Sequence, residues 1–141
     1  MKLNKDFFED NEVLFIGYSG KNPVFSKMVY KAFTDAGLKV FPLNSKQGGT
    51  YDIKVYNDLN ELPHIPKSAY ILLNGNNSKE AVNQLKDKGI KRILFQNSKA
   101  VSKETLEECS KYGIETVVAC PMMAFGSGLH RVHAFFAGVK R

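Results

Sequence analysis

Five short apolar runs, each separated from the next by a segment of different character, restrict this chain more than any other feature. They lie at 13–17 (VLFIG), 39–43 (KVFPL), 69–73 (AYILL), 92–95 (RILF) and 116–119 (TVVA). Most are apolar at consecutive positions instead of alternating, the pattern of strands covered on both faces. Helical spacing fills most of the gaps. Val24, Phe25, Met28, Val29, Ala32 and Phe33 recur at three and four residues, with Asn22 as N-cap, Pro23 at the first helical position and Gly37 past the end. Residues 77–88 repeat the scheme with Ala81, Val82 and Leu85 apolar, Lys86 and Lys88 in the last turn and Gly89 closing. Ser102 caps a third helix with Leu106 and Cys109 inward and Gly113 closing, and a last helix is expected over about 127–136. Strands alternating with helices predict an α/β domain: a doubly wound parallel sheet of about five strands with helices on both faces.

The stretch 45–68 is less regular and predicts a glycine loop, a short extended piece at 54–56 and a turn of helix near 58–62. With no repeat, no low-complexity tract and no long linker, 141 residues read as one domain over 1–141. No apolar run approaches the roughly 20 residues of a membrane span, so no membrane partner is expected. The start, MKLNKDFFEDNE, has no apolar stretch of signal-peptide length, and the expected address is the cytoplasm. Cys109 and Cys120 are too few for a disulfide framework and lack metal spacing. The net charge of +6 comes from 17 lysines against 3 arginines, scattered mostly beside acids. Base readout and phosphate clamping favour the planar fork of arginine, so no nucleic-acid partner is expected.

In a doubly wound sheet, ligands bind at the carboxyl ends of the strands. Those ends carry Gly17, Tyr18, Ser19, Gly20, Lys21 and Asn22; then Asn44, Ser45 and Lys46; then Asn74; then Gln96 and Asn97; and Cys120 last. The first loop has the parts of an anion site: small residues admit close backbone approach, and a helix amino end follows. A tight strand-to-helix turn uses the same residues. The dinucleotide fingerprint would need glycines where Ser19 and Asn22 stand, and an acid near the second strand's end where Asn44 and Lys46 stand. NAD is disfavoured on both counts, whereas Lys46 suits a phosphorylated ribose, as in coenzyme A or NADP.

No catalytic set assembles. His64 lies between prolines as a surface residue, and His130 and His133 have no carboxylate or cysteine beside them to complete a metal site. Glu107 and Glu108 read as solvated, and neither a Walker motif nor a nucleophile elbow is present. Cys120 is either a small buried strand-end residue or a thiol nucleophile.

VLFIGYSGKNPVFSKMVYKAFTDAGLKVFPLN, RILFQNS and VVACPMMAF together resemble the small single-domain CoA-binding proteins related to the N-terminal domain of the succinyl-CoA synthetase alpha subunit. The resemblance implies a Rossmann-like domain whose first loop, Ser19, Gly20, Lys21 and Asn22, holds the CoA pyrophosphate. It places Lys46 near the adenosine 3′-phosphate, and Phe95, Gln96 and Asn97 along the ligand. Cys120 matches a cysteine closing the fifth strand. Ser45 stands where the family usually has proline, no arginines follow the third strand, and the tail GSGLHRVHAFFAGVK is a variant ending. The synthetase's phosphorylated histidine belongs to a second domain, none of the histidines here sits in a matching position, and ligase activity is not expected. The reading is a CoA or acyl-CoA binding protein acting as carrier, sensor or subunit. A thiol-dependent acyl-CoA or redox enzyme using Cys120 and an NADP- or NAD-linked sensor domain are the alternatives. Homodimerisation through Phe135 or Phe136 is also expected.

Overall fold

The computed structural model describes residues 5–20, 23–45, 51 and 53–125. The five apolar runs are the five strands: β1 (Glu12–Ile16), β2 (Lys39–Leu43), β3 (Ser68–Ile71), β4 (Arg92–Phe95) and β5 (Glu115–Val118). They form one all-parallel sheet in the order β2-β1-β3-β4-β5. Between them run α1 (Pro23–Asp35), α2 (Gly75–Leu85) and α3 (Lys103–Lys111), and a short α4 (Met122–Phe125) follows β5. The last helix expected at 127–136, with His130, His133, Phe135 and Phe136, lies outside the described residues.

Period-two alternation divides the strands between two cores. Phe15, Tyr70, Leu94 and Val117 face α1 and pack with Val29 and Phe33; the preceding Phe7 and Phe8 close that core. Leu14, Ile16, Phe41, Ile71, Ile93 and Phe95 face the other way, onto Ala81, Val82 and Leu85 of α2 and Cys109 of α3. Helices therefore cover both faces, which is why the central strands are apolar without alternation. The fold is Rossmann-like.

Two expectations are corrected in the helices. The buried stripe of α1 is Ser26, Val29, Ala32 and Phe33, while Val24 and Met28 are exposed at 72% and 46%. Residues three, six and seven beyond Ser26 share its face, whereas Val24 begins a neighbouring row. The second helix starts at Gly75 instead of 77, because Asn74 is its cap: its carboxamide oxygen accepts from the Asn77 N–H at 3.0 Å. Ser102 caps α3 as expected, accepting from the Thr105 N–H at 3.1 Å.

Residues 53–56 return beside β2, where Tyr56 bridges Leu43 in parallel; Asp58 then caps the turn Leu59–Glu61. The amino edge of the sheet is lined with charge. Glu12 meets His64 at 2.8 Å, Arg92 meets Glu115 at 3.1 Å, and Lys91 lies 3.8 Å from Glu9. His64 is thus a partly exposed residue with a carboxylate partner, its ring also edge-on to Phe41.

Candidate functional site

All five carboxyl ends share the opposite edge. β1 connects through α1 to β2 on one side, and the chain then crosses back to β3 on the other. The crevice between β1 and β3 is therefore the point where strand order reverses, the usual ligand position in an open parallel sheet. Each central ladder continues one residue past its strand. The Gly17 N–H donates to the Leu43 carbonyl at 2.9 Å, Leu72 to Ile16 at 2.9 Å, Gln96 to Ile71 at 3.2 Å and Ala119 to Phe95 at 2.9 Å. The rim of the crevice is accordingly held by backbone bonds.

Gly17 ends β1 with φ +98°, and a Cβ there would sit 2.3 Å from the Leu72 carbonyl oxygen. The backbones following β1 and β3 thus touch where the two halves of the sheet part. From there the loop is anchored on several sides. Tyr18 is fully buried among Phe15, Tyr30 and Tyr51, and its carbonyl accepts from the Asn44 side-chain amide at 2.7 Å. The Ser19 N–H donates to Ser26 Oγ, a buried hydroxyl in the first turns of α1, at 3.0 Å. Gly20 lies under the Tyr51 ring, which a Cβ would approach to 3.0 Å.

Asn44 is the knot of this arrangement. Its side chain holds the first loop, its N–H donates to Tyr56 at 2.8 Å, and its carbonyl accepts from the Asn57 amide at 3.0 Å. Lys21, Asn22 and Lys46 fall outside the described residues.

Across the crevice, Asn74 caps α2 and Asn97 caps the turn Ser98–Ala100, accepting from the Lys99 N–H at 3.0 Å. Phe95 is wholly buried on the α2 and α3 face, so its side chain anchors the end of β4 within the core. Gln96 is half-buried, and its carboxamide oxygen accepts from the Tyr70 hydroxyl. Burial holds the Tyr70 phenol well above the usual tyrosine range, and the Cys120 thiolate would push it the same way. Cys120 itself is half-buried after β5. Cys109 is inert by comparison: burial, then the Glu108 carboxylate, raise its thiol to about 11.

The structure thus brings Gly17, Ser19, Gly20 and Asn44 into one interlocked loop pair, with Asn74, Gln96, Asn97 and Cys120 at the neighbouring strand ends. Among the described residues, amide and backbone groups dominate this rim, which suits recognition of a ligand's phosphate and carbonyl oxygens. Sequence reasoning missed Ser26, Tyr51 and Tyr70. A serine within the apolar stripe of α1, and a phenol inside AYILL, were the available signals, since each buried hydroxyl needs a partner. Among the described residues no three His, Cys, Asp or Glu side chains come together as a metal site, and no helix is long and apolar enough to cross a membrane.

Comparison with solved structures returns the same architecture. A conserved hypothetical protein from Pyrococcus furiosus aligns with a TM-score of 0.65 at 21% identity, covering 86% of this chain and 97% of its own. A hypothetical protein from Pyrococcus horikoshii aligns at 0.69 and 20%, covering 87% and 82%. A dinucleotide forming acetyl-coenzyme A synthetase 1 from Ca. Korarchaeum cryptofilum aligns at 0.63 and 16%, covering 82% of this chain but 27% of the synthetase chain. At such identities the likeness is one of fold. The search of curated proteins returned no match. A family model described as a CoA binding domain matches residues 11–126, from the start of the sheet to just past α4. The chain belongs to the CoA-binding domain family.

Proposed function

We propose that this protein binds coenzyme A or an acyl-CoA at the carboxyl edge of its sheet and serves as a carrier, a sensor or a subunit without chemistry of its own. The observation that carries the reading is the interlocked loop after β1. Gly17 brings the backbone against the strand-order crevice, and Ser26 and Asn44 hold the loop there. In this reading the diphosphate lies along Ser19, Gly20, Lys21 and Asn22 at the amino end of α1, where backbone N–H groups and the helix dipole favour an anion. The adenosine lies toward the end of β2, with Lys46 meeting its 3′-phosphate. Asn74, Gln96, Asn97 and Cys120 line the path of the pantetheine arm, and Phe95 supports it from below.

Titration calorimetry tests this directly. CoA or acetyl-CoA is expected to bind with micromolar or tighter affinity, and NAD and NADP far more weakly. Micromolar binding of NADP or NAD without binding of CoA would overturn the assignment. Lys46→Ala is expected to weaken CoA about tenfold, roughly one charge-assisted contact, while leaving dephospho-CoA nearly unchanged.

A further inference from the structure

The ring of Tyr70 stands in the α1-side core, 4.9 Å from Phe15 and 5.5 Å from Phe33, both edge-to-face, and the residue is completely buried. A phenol proton placed there needs an acceptor. Gln96 meets it with the carboxamide oxygen, not the nitrogen. The choice is forced by chemistry: an N–H2 turned inward would face the phenol oxygen and leave the buried O–H without an acceptor. The Gln96 backbone is pinned as well, because its N–H donates to the Ile71 carbonyl at 3.2 Å. With the main chain fixed and the amide oxygen engaged inward, the amide nitrogen occupies the outer arm of a half-buried side chain at the end of β4.

We propose that Tyr70 is a positioning residue that fixes Gln96 as a hydrogen-bond donor at the ligand edge, and that this donor selects a carbonyl oxygen on the pantetheine or acyl arm of a CoA ligand. The second half rests on the coenzyme A reading above. The strand order supports it. β4 is two strands from β1, roughly 10 Å at ordinary strand spacing, on the side opposite β2. A ligand with its adenosine toward β2 and its diphosphate at β1 sends its arm across β3 to β4. That arm carries amide carbonyls and, when acylated, a thioester carbonyl. Every one of them is an acceptor. Burial keeps the phenol protonated over the whole neutral range, so the orientation it imposes is not titrated away.

The test compares CoA with 3′-phosphoadenosine 5′-diphosphate, which keeps the adenosine end and lacks the arm, by calorimetry on the full chain. Tyr70→Phe removes only a hydroxyl. It is expected to weaken CoA about five- to tenfold, the scale of one hydrogen bond, and to change the arm-less ligand less than twofold. Gln96→Ala is expected to lose a similar factor for CoA, and the double variant no more than Gln96→Ala alone. Gln96→Glu supplies the readout that a merely structural role would not move. Near pH 7.5 its carboxylate has no proton to donate, and CoA weakens; toward pH 4, around the ordinary glutamate value, protonation restores a donor, so the affinity ratio to wild type recovers. Wild-type affinity for CoA in Tyr70→Phe, equal losses for both ligands, or a ratio that stays flat with pH would overturn the inference while leaving the coenzyme A reading standing. Failure of the wild type to bind CoA would overturn both.

Discussion

Position 17 admits only glycine, for two separable reasons. Its φ of +98° disfavours any side chain, and the Leu72 carbonyl occupies the place of a Cβ. Gly89 shares the first penalty, at φ +84°, but has nothing within 4 Å of its Cβ position. Gly89→Ala is therefore expected to cost about 1 kcal/mol, the usual strain of a left-handed alanine. Gly17→Ala is expected to cost about 3 kcal/mol or more, since backbone cannot swing aside. Urea denaturation of both variants measures the gap, and equal losses would mean that the loops beside Gly17 yield. Cys109 supplies a second prediction. Its thiol rises from an ordinary value near 9 to about 11 in the fold, so the folded state favours the protonated form. That contribution is complete below about pH 9 and is lost as the pH rises through 11. The urea midpoint of the wild type should fall more steeply between those limits than that of Cys109→Ala. In the native protein at pH 8, Cys120 should be alkylated well before Cys109.

The strand and helix order was legible because burial on both faces writes itself as unbroken apolar runs, and capping residues such as Ser102 write themselves as Ser, Asn or Gly at helix ends. Boundaries were less so. Asn74 and Asn77 are both acceptable caps, and only the fold, by accepting the Asn77 N–H on Asn74, decides between them. The face of α1 was blurred for a related reason: Val24 and Met28 fit the helical period but lie off the buried row. Ser26 was passed over because a serine on an apolar face looks like a flaw until its partner, the Ser19 N–H, is known. Ser26→Ala should therefore leave α1 intact yet free the first loop. We expect about 1 kcal/mol less stability by denaturant titration and a several-fold weaker CoA complex by calorimetry. Unchanged ligand affinity would show that the loop holds its shape without this bond.

For the whole molecule, the candidate site was readable in its location but not in its bonding. A parallel sheet fixes which loops gather at the carboxyl edge, so Ser19, Asn44, Asn74, Gln96 and Cys120 could be named from spacing alone. That Asn44 ties two loops together, or that Gln96 answers to a phenol in β3, depends on contacts between residues 26 positions apart. Such contacts have no local signature. If the domain binds CoA only when folded, saturating ligand must stabilise it by mass action. At a hundred times the dissociation constant the gain is about 2.7 kcal/mol. Thermal melts with CoA should shift upward by several degrees, and melts with NAD should not.

The opposite edge has a practical bearing. Glu12 with His64, Arg92 with Glu115 and Lys91 with Glu9 lie at the amino ends of the strands, a full strand length from the amide-lined rim. Among the described residues, ion pairs gather at this edge, whereas amide and backbone groups line the other. A tether or fluorescent label attached through Lys67 or Lys91, which precede β3 and β4, would leave the amide-lined rim facing solution.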